Sequence, residues 1–151
     1  MIIVWVLPAA GVFFGDLWIK SRIEKRMTEG ETRALAGGCL LIRKHHNRGA
    51  VLNLGQHIQP LIAAISLALA GAVTVLFVFS LGSRGNNLLR VGLAFLLGGA
   101  FSNTYDRLRR RYVVDYFSFG VRWKRLRAVV FNVSDCFIII GALLAALGVG
   151  A

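Results

Sequence analysis

The stretch "LIAAISLALAGAVTVLFVFSL", Leu61 to Leu81, runs for 21 residues without a charged side chain. A helix of this length and composition matches the hydrocarbon thickness of a bilayer. Three further apolar runs flank it. Met1 to Ile19 is broken only by Asp16, Leu88 to Tyr105 carries Arg90 near its start, and Ala128 to Gly150 contains only Asp135. The chain of 151 residues is 56% hydrophobic and only 17% charged, with a mean hydropathy of +0.65. Soluble domains carry about a quarter charged residues. The sequence therefore predicts an integral membrane protein, mainly α, with four transmembrane helices forming a single membrane-embedded domain over residues 1–151.

Four crossings put both termini on one side and the two long links on the other. Both links contain strand-like patches, "CLLIRKHHNRGAVLNLG" and "RYVVDYFSFGVRW". They predict a small β-rich layer on one membrane face. "GSRGNN", Gly82 to Asn87, reads as the short turn between the second and third helices. No basic residue opens the chain, so a cleaved signal peptide is not expected.

The net charge of +11 comes from eighteen Lys and Arg, of which sixteen fall in or near the two long links. Basic residues flanking membrane segments contact anionic headgroups, which makes membrane phospholipids expected partners. No soluble basic domain is present to carry nucleic-acid binding, and that class is set aside. Counted simply, the charge bias puts both links in the cytoplasm. Cys39 and Cys136 match no CxxC or zinc spacing. His45, His46 and His57 have no accompanying cysteine or carboxylate cluster, so surface or headgroup contact is expected and no metal site. Trp5, Trp18 and Trp123 suit interfacial anchoring. "GVFFG", Gly11 to Gly15, is a G-x-x-x-G pattern expected to pack within the molecule.

The acids carry the functional argument. Glu24, Glu29 and Glu31 lie together in a polar stretch and are read as solvated. The four aspartates all lie in or beside apolar segments, where a carboxylate costs about 2.5 kcal/mol or more to insert and so faces the bundle interior. Asp16 precedes Lys20 by four residues, the spacing of a structural ion pair. Asp106 follows Asn103 by one turn and adjoins Arg107, which suggests a polar clamp. Asp115 has no basic neighbour in sequence. Asp135 is the sole ionisable group of its run, with Asn132 one turn before it. If the third link folds back on the bundle, Asp115 and Asp135 can meet and share a proton, one activating water while the other polarises a carbonyl. On pattern alone a proton or ion relay, or structural polar contacts, remain alternatives.

Four patches in order resemble lipoprotein signal peptidase, also called signal peptidase II, over nearly the whole chain. "GDLWIK" is similar to its D-x-x-x-K pattern through Asp16 and Lys20. "NRGAVLNLG" resembles N-x-G-A-A-F through Asn47, Gly49 and Ala50, departing at Val51 and Leu52. "GGAFSNTYDRLRRRYVVDYF" resembles G-G-A-x-x-N-x-x-D-R followed by V-x-D-F/Y, and "FNVSDCFIIIG" resembles F-N-x-A/S-D-x-x-I. The resemblance implies a bacterial membrane aspartic endopeptidase without metal or cofactor. Its substrate would be a diacylglyceryl-modified prolipoprotein, cut just before the lipidated cysteine. Asp115 and Asp135 fall on the catalytic positions. Asn47, Gly49, Asn103, Asp106, Arg107 and Asn132 fall on supporting or substrate-binding ones, and Asp16 and Lys20 on structural ones. The family implies a monomer in the cytoplasmic (inner) membrane with its active site near the extracytoplasmic face, against the charge count. The motifs specify chemistry and take precedence over a statistical bias. A small proton- or ion-relay transporter, or a relative that binds lipopeptides without cutting, are the competing readings.

Overall fold

A computed structural model describes residues 2–49, 55–82 and 86–150 of the chain. The helix α1 spans Ile3–Arg26, followed by strands β1 (Thr32–Leu35) and β2 (Leu40–Asn47). Helices α2 (Gln59–Gly82) and α3 (Asn87–Arg109) come next, then β3 (Val113–Phe119), the single turn of α4 (Lys124–Ala128) and α5 (Val133–Val149). The molecule is thus mainly helical with a small antiparallel sheet of order β1-β2-β3.

By length and composition α1 and α2 can each cross a membrane, and α5 is a shorter apolar helix. At ~1.5 Å per residue, the 24 residues of α2 reach about 36 Å. Its outward side chains, among them Leu61, Ile65, Leu69, Leu76 and Phe79, are exposed. So are Ile3, Leu7 and Phe14 on α1 and Ile139, Leu143 and Leu147 on α5. An apolar belt of this extent is stable only against hydrocarbon or another protein surface. The hydroxyls of Ser66, Thr74 and Ser80 bond carbonyls of their own helix one turn back, so α2 presents no unpaired polar group from these residues.

The central element is α3, packed against α1, α2 and α5. Its seam with α5 is backbone on backbone. A Cβ at Gly141 would meet the Gly92 carbonyl and the Leu96 amide at 2.6 Å, and one at Gly99 the Ser134 carbonyl at 2.6 Å. Gly98 abuts the Ala9 carbonyl of α1 in the same way. Small residues permit this approach where lipid offers no hydrophobic drive for association. The G-x-x-x-G of α1 does not take part, contrary to expectation. α1 turns Ala9, Val12, Asp16 and Lys20 inward, and Gly11 and Gly15 lie on its exposed side with no atom of the described residues within 4 Å of an added Cβ.

The helix ends differ from those read off hydropathy. α1 continues past Ile19 to Arg26 and α3 past Tyr105 to Arg109, because both carry their last polar turns into the sheet layer. α5 begins at Val133 rather than Ala128. The preceding residue Phe131 is instead bonded to Phe117 of β3, N–H to O at 2.7 Å and the reverse at 2.9 Å. Ala50, Val51 and Leu52, and residues 83–85 of the expected turn at Gly82 to Asn87, lie outside the described residues.

The sheet joins the two links. β2 pairs β3 with His45 opposite Asp115 and Asn47 opposite Val113, and a register irregularity separates Ile42 from His45. Alternation along β3 then sorts its side chains. Asp115 faces a cavity, while Tyr116 faces the bundle.

Gly141→Val must push α3 and α5 apart and should cost about 1–3 kcal/mol or more, read as a lower thermal midpoint in detergent. Gly15→Ala, on the open side of α1, should leave the midpoint unchanged or raise it, since alanine exceeds glycine in helix propensity by up to about 1 kcal/mol.

Candidate active site

A fully buried lysine organises the polar end of the bundle. The ammonium of Lys20, with 0% exposure, lies 2.7 Å from Asp16 Oδ2 and 3.1 Å from Asp106 Oδ2. It also donates to Ser102 Oγ at 3.1 Å and Asn103 Oδ1 at 2.9 Å. Asp16 accepts from Ser102 and Ser134 hydroxyls, both at 2.6 Å, and from Tyr116 at 2.8 Å. Asp106 accepts the Val114 amide at 3.2 Å and lies 3.3 Å from Arg110 Nε. One cluster therefore ties α1, α3, α5 and β3 together.

The expected Asp106–Arg107 clamp does not form. Neighbours on a helix point about 100° apart. Asp106 turns inward to Lys20, and Arg107 turns to a cavity shared with Asp115 and Asp135. Asp106's partner Lys20 was not predictable from local spacing, because 86 residues separate them.

Above this cluster two carboxylates face one cavity of about 320 Å³, lined also by Asn47, Asn103 and Arg107 and by apolar side chains such as Val113, Phe131, Ile138 and Ile139. Asn132 joins the pair. Its side-chain amide donates to Asp115 Oδ1 at 2.7 Å and its backbone N–H to Asp135 Oδ2 at 3.0 Å. Asn132 is also the N-cap of α5, its Oδ1 accepting the Asp135 amide at 2.9 Å, which completes a capping box. Asn103 donates to Asp135 Oδ1 at 2.8 Å, and Asn47 to Asp115 Oδ2 at 3.0 Å. All four carboxylate oxygens thus carry an N–H donor.

The orientation of each asparagine follows from its second contact. Lys20 can only donate, so Asn103 must turn Oδ1 to it and its NH₂ to Asp135. The Asp135 amide fixes Asn132 likewise, and the Gly49 amide, 3.2 Å from Asn47 Oδ1, fixes Asn47. Gly49, buried beside the site, acts through its backbone N–H.

Burial, and next the nearby charge of Asp135, push the Asp115 carboxyl up to about 7. Tyr116, beneath it, is raised by burial and by Asp16. A pair of carboxylates so placed can hold one proton between them. A second apolar groove, lined by Ser66, Leu69 and Val73 of α2, Leu96 and Ala100 of α3 and Ile138 of α5, also reaches Asn103, Arg107 and Asp135. Among the described residues no group of three or more His, Cys, Asp or Glu could hold a metal ion.

Of the glutamates read as solvated, Glu29 is exposed as expected, whereas Glu24 is partly buried at the foot of the sheet. Glu24 Oε2 holds the buried Lys44 ammonium at 2.7 Å. The His46 ring reaches Glu24 at 2.7 Å and Glu29 at 2.6 Å and stacks on Tyr112 with ring centres 3.9 Å apart. His46 therefore fastens β2 to the end of α1, one residue before Asn47. Trp18 and Trp123 are exposed, Trp18 with Arg22 over its ring.

Comparison with known proteins bears on this geometry. Residues 8–149 match the family model of signal peptidase (SPase) II. A lipoprotein signal peptidase of Geobacillus kaustophilus is 31% identical over 140 residues, 93% of this chain and 87% of the relative. One of Brucella ovis is 36% identical over 128 residues, 84% and 77% of the two chains. The match to one of Clostridioides difficile, 34% identical, spans 64% of this chain and 61% of the relative. A bacterial membrane enzyme solved by the in meso method at 2.3 Å resolution shares the fold, with a TM-score of 0.84 over 99% of this chain and 88% of that one, at 23% identity.

Lys20→Met would strand two buried carboxylates and should destabilise the protein by about 3–5 kcal/mol, measurable by thermal unfolding in detergent. The raised Asp115 has the opposite sign. Its folded form keeps a proton the unfolded chain releases above about 3.8. That contribution is full in acid and is lost as pH rises to about 7. The midpoint of Asp115→Asn should therefore gain on that of the native protein across this interval.

Proposed function

The chain belongs to the signal peptidase II family of bacterial membrane aspartic peptidases, and we propose that it removes signal peptides from diacylglyceryl-modified prolipoproteins, cutting just before the lipidated cysteine. Asp115 and Asp135 are the catalytic pair. The observation that carries this reading is Asn132, bonded to both carboxylates at the wall of one apolar cavity.

The chemistry follows from a shared proton. The ionised carboxylate takes a proton from water as the water oxygen attacks the scissile carbonyl. The protonated partner hydrogen-bonds the carbonyl oxygen and transfers its proton as charge develops there. Collapse of the tetrahedral intermediate breaks the C–N bond, and the proton is delivered to the leaving amine of the cysteine. The signal peptide leaves with a new carboxylate. Asn47, Asn103 and Asn132 hold the pair in register, and Arg107, facing the same cavity, offers donors to substrate carbonyls. Asp16, Lys20 and Asp106 hold the elements that present them.

Residues 1–151 form one peptidase domain that acts as a monomer in the bacterial cytoplasmic membrane. α1, α2, α3 and α5 all cross, the sheet and active site lie at the extracytoplasmic face, and the basic links rest on phospholipid headgroups. All seven acidic residues fall toward the sheet-bearing end in sequence, which favours surface hydrolysis over a relay through the bilayer.

Purified in detergent, the native protein should shift a diacylglyceryl-modified prolipoprotein to its mature size on a gel. Asp115→Asn and Asp135→Asn should each cut at least about 10²-fold more slowly, the scale of general acid–base catalysis. Native-like cleavage by either variant would overturn the assignment of the pair.

A further inference from the structure

A second cavity, of about 290 Å³, lies on the sheet side of Asp115 and differs in character from the first. It is lined by Thr32 of β1, Arg43, His45 and Asn47 of β2, and Asp115 of β3, closed by Ala128 and Val130. Asn47, Asp115 and Val130 line both cavities. The catalytic carboxylate is therefore a boundary, with an apolar chamber on one side and a polar one on the other.

The proposed substrate has the same division. On one side of the scissile bond and at the cysteine it carries hydrocarbon, and beyond the cysteine it is an ordinary hydrophilic chain. With the scissile carbonyl at Asp115, the chain beyond the cysteine has the polar cavity as its neighbouring space. The charge there is set by Arg43. Its Nη1 makes one long contact, 3.4 Å to the Arg127 carbonyl, and its buried Nε finds no hydrogen-bond acceptor among the described residues. Lys44 adds little, because its ammonium is spent on Glu24 and on the carbonyls of Glu24 and Met27. A guanidinium with unfilled donor capacity beside a cleft favours a carboxylate, which it can bind through two parallel bonds.

We infer that this cavity is a specificity subsite for the polypeptide following the lipidated cysteine, and that Arg43 selects substrates with an acidic residue there. The inference rests on the peptidase reading above. Its contribution is to recognition rather than to bond cleavage.

The test uses two lipopeptides identical through the diacylglyceryl cysteine and differing only in the next two residues, Asp-Asp or Lys-Lys, cleaved in micelles free of anionic lipid. The native protein should favour the acidic substrate in kcat/KM by about fivefold, the ratio of one partly shielded ion pair, mainly through KM. High salt should shrink the ratio. Arg43→Gln should abolish the preference and Arg43→Glu invert it. Because each ratio is taken within one preparation, partial misfolding of a variant does not affect it. Equal cleavage of both substrates by the native protein, or a preference unchanged in Arg43→Glu, would overturn the proposal. So would loss of the preference on adding phosphatidylglycerol, which would assign the cavity to lipid headgroups. Cleavage of neither substrate would overturn the peptidase reading itself.

Discussion

The fold depends on a lysine ammonium held entirely inside a membrane protein. Lys20 and its two carboxylates cost several kcal/mol each to take out of water. Their mutual attraction offsets this only with close geometry and with the remaining lone pairs satisfied. Here the partners come from three elements besides α1, through Ser102 and Asn103 of α3, Ser134 of α5 and Tyr116 of β3. Apolar helices in lipid gain little from sliding to one register rather than another. A charge cluster that closes in one arrangement supplies the register that hydrocarbon packing leaves open.

The face that carries Asp115 and Asp135 inherits its precision from that cluster. Asn103 touches Lys20 with its carbonyl oxygen and Asp135 with its amide. Tyr116 and Asp115 are consecutive in β3 and point opposite ways, the first anchored to Asp16, the second presented to the cavity. The capping box then uses Asp135 twice, once to start α5 and once to face its partner. Structural and chemical roles are divided between adjacent residues or combined in one, which is why the site occupies so few positions.

Much of this was legible in the sequence, for identifiable reasons. The uncharged run Leu61 to Leu81 announces its helix by length alone, and the β-branched and aromatic run around Asp115 announces a strand. The Asp16–Lys20 pair is visible because helical spacing is local. Long-range choices were not visible. Asp106 adjoins Arg107 yet pairs with Lys20, since which face of α3 turns inward is decided by packing. Gly11 and Gly15 carry an association motif on a face where no described residue packs, while the contacts fall on Gly92, Gly99 and Gly141, spaced for α3 and α5. Glu24 looks solvated until β2 brings Lys44 and His46 beside it. Arg43 carries no motif, and only the register of three strands sets it beside Asp115.

The backbone contact between α3 and α5 has a kinetic consequence. Glycine against carbonyl leaves no gap for an acyl chain along that seam, whereas the groove among α2, α3 and α5 runs to Asp135 along apolar side walls. A substrate arriving by that groove never leaves the bilayer and searches in two dimensions. The concentration that governs turnover is then the mole fraction of substrate among lipids. Diluting the aqueous suspension leaves the rate per enzyme unchanged, while diluting the membrane with inert lipid lowers it.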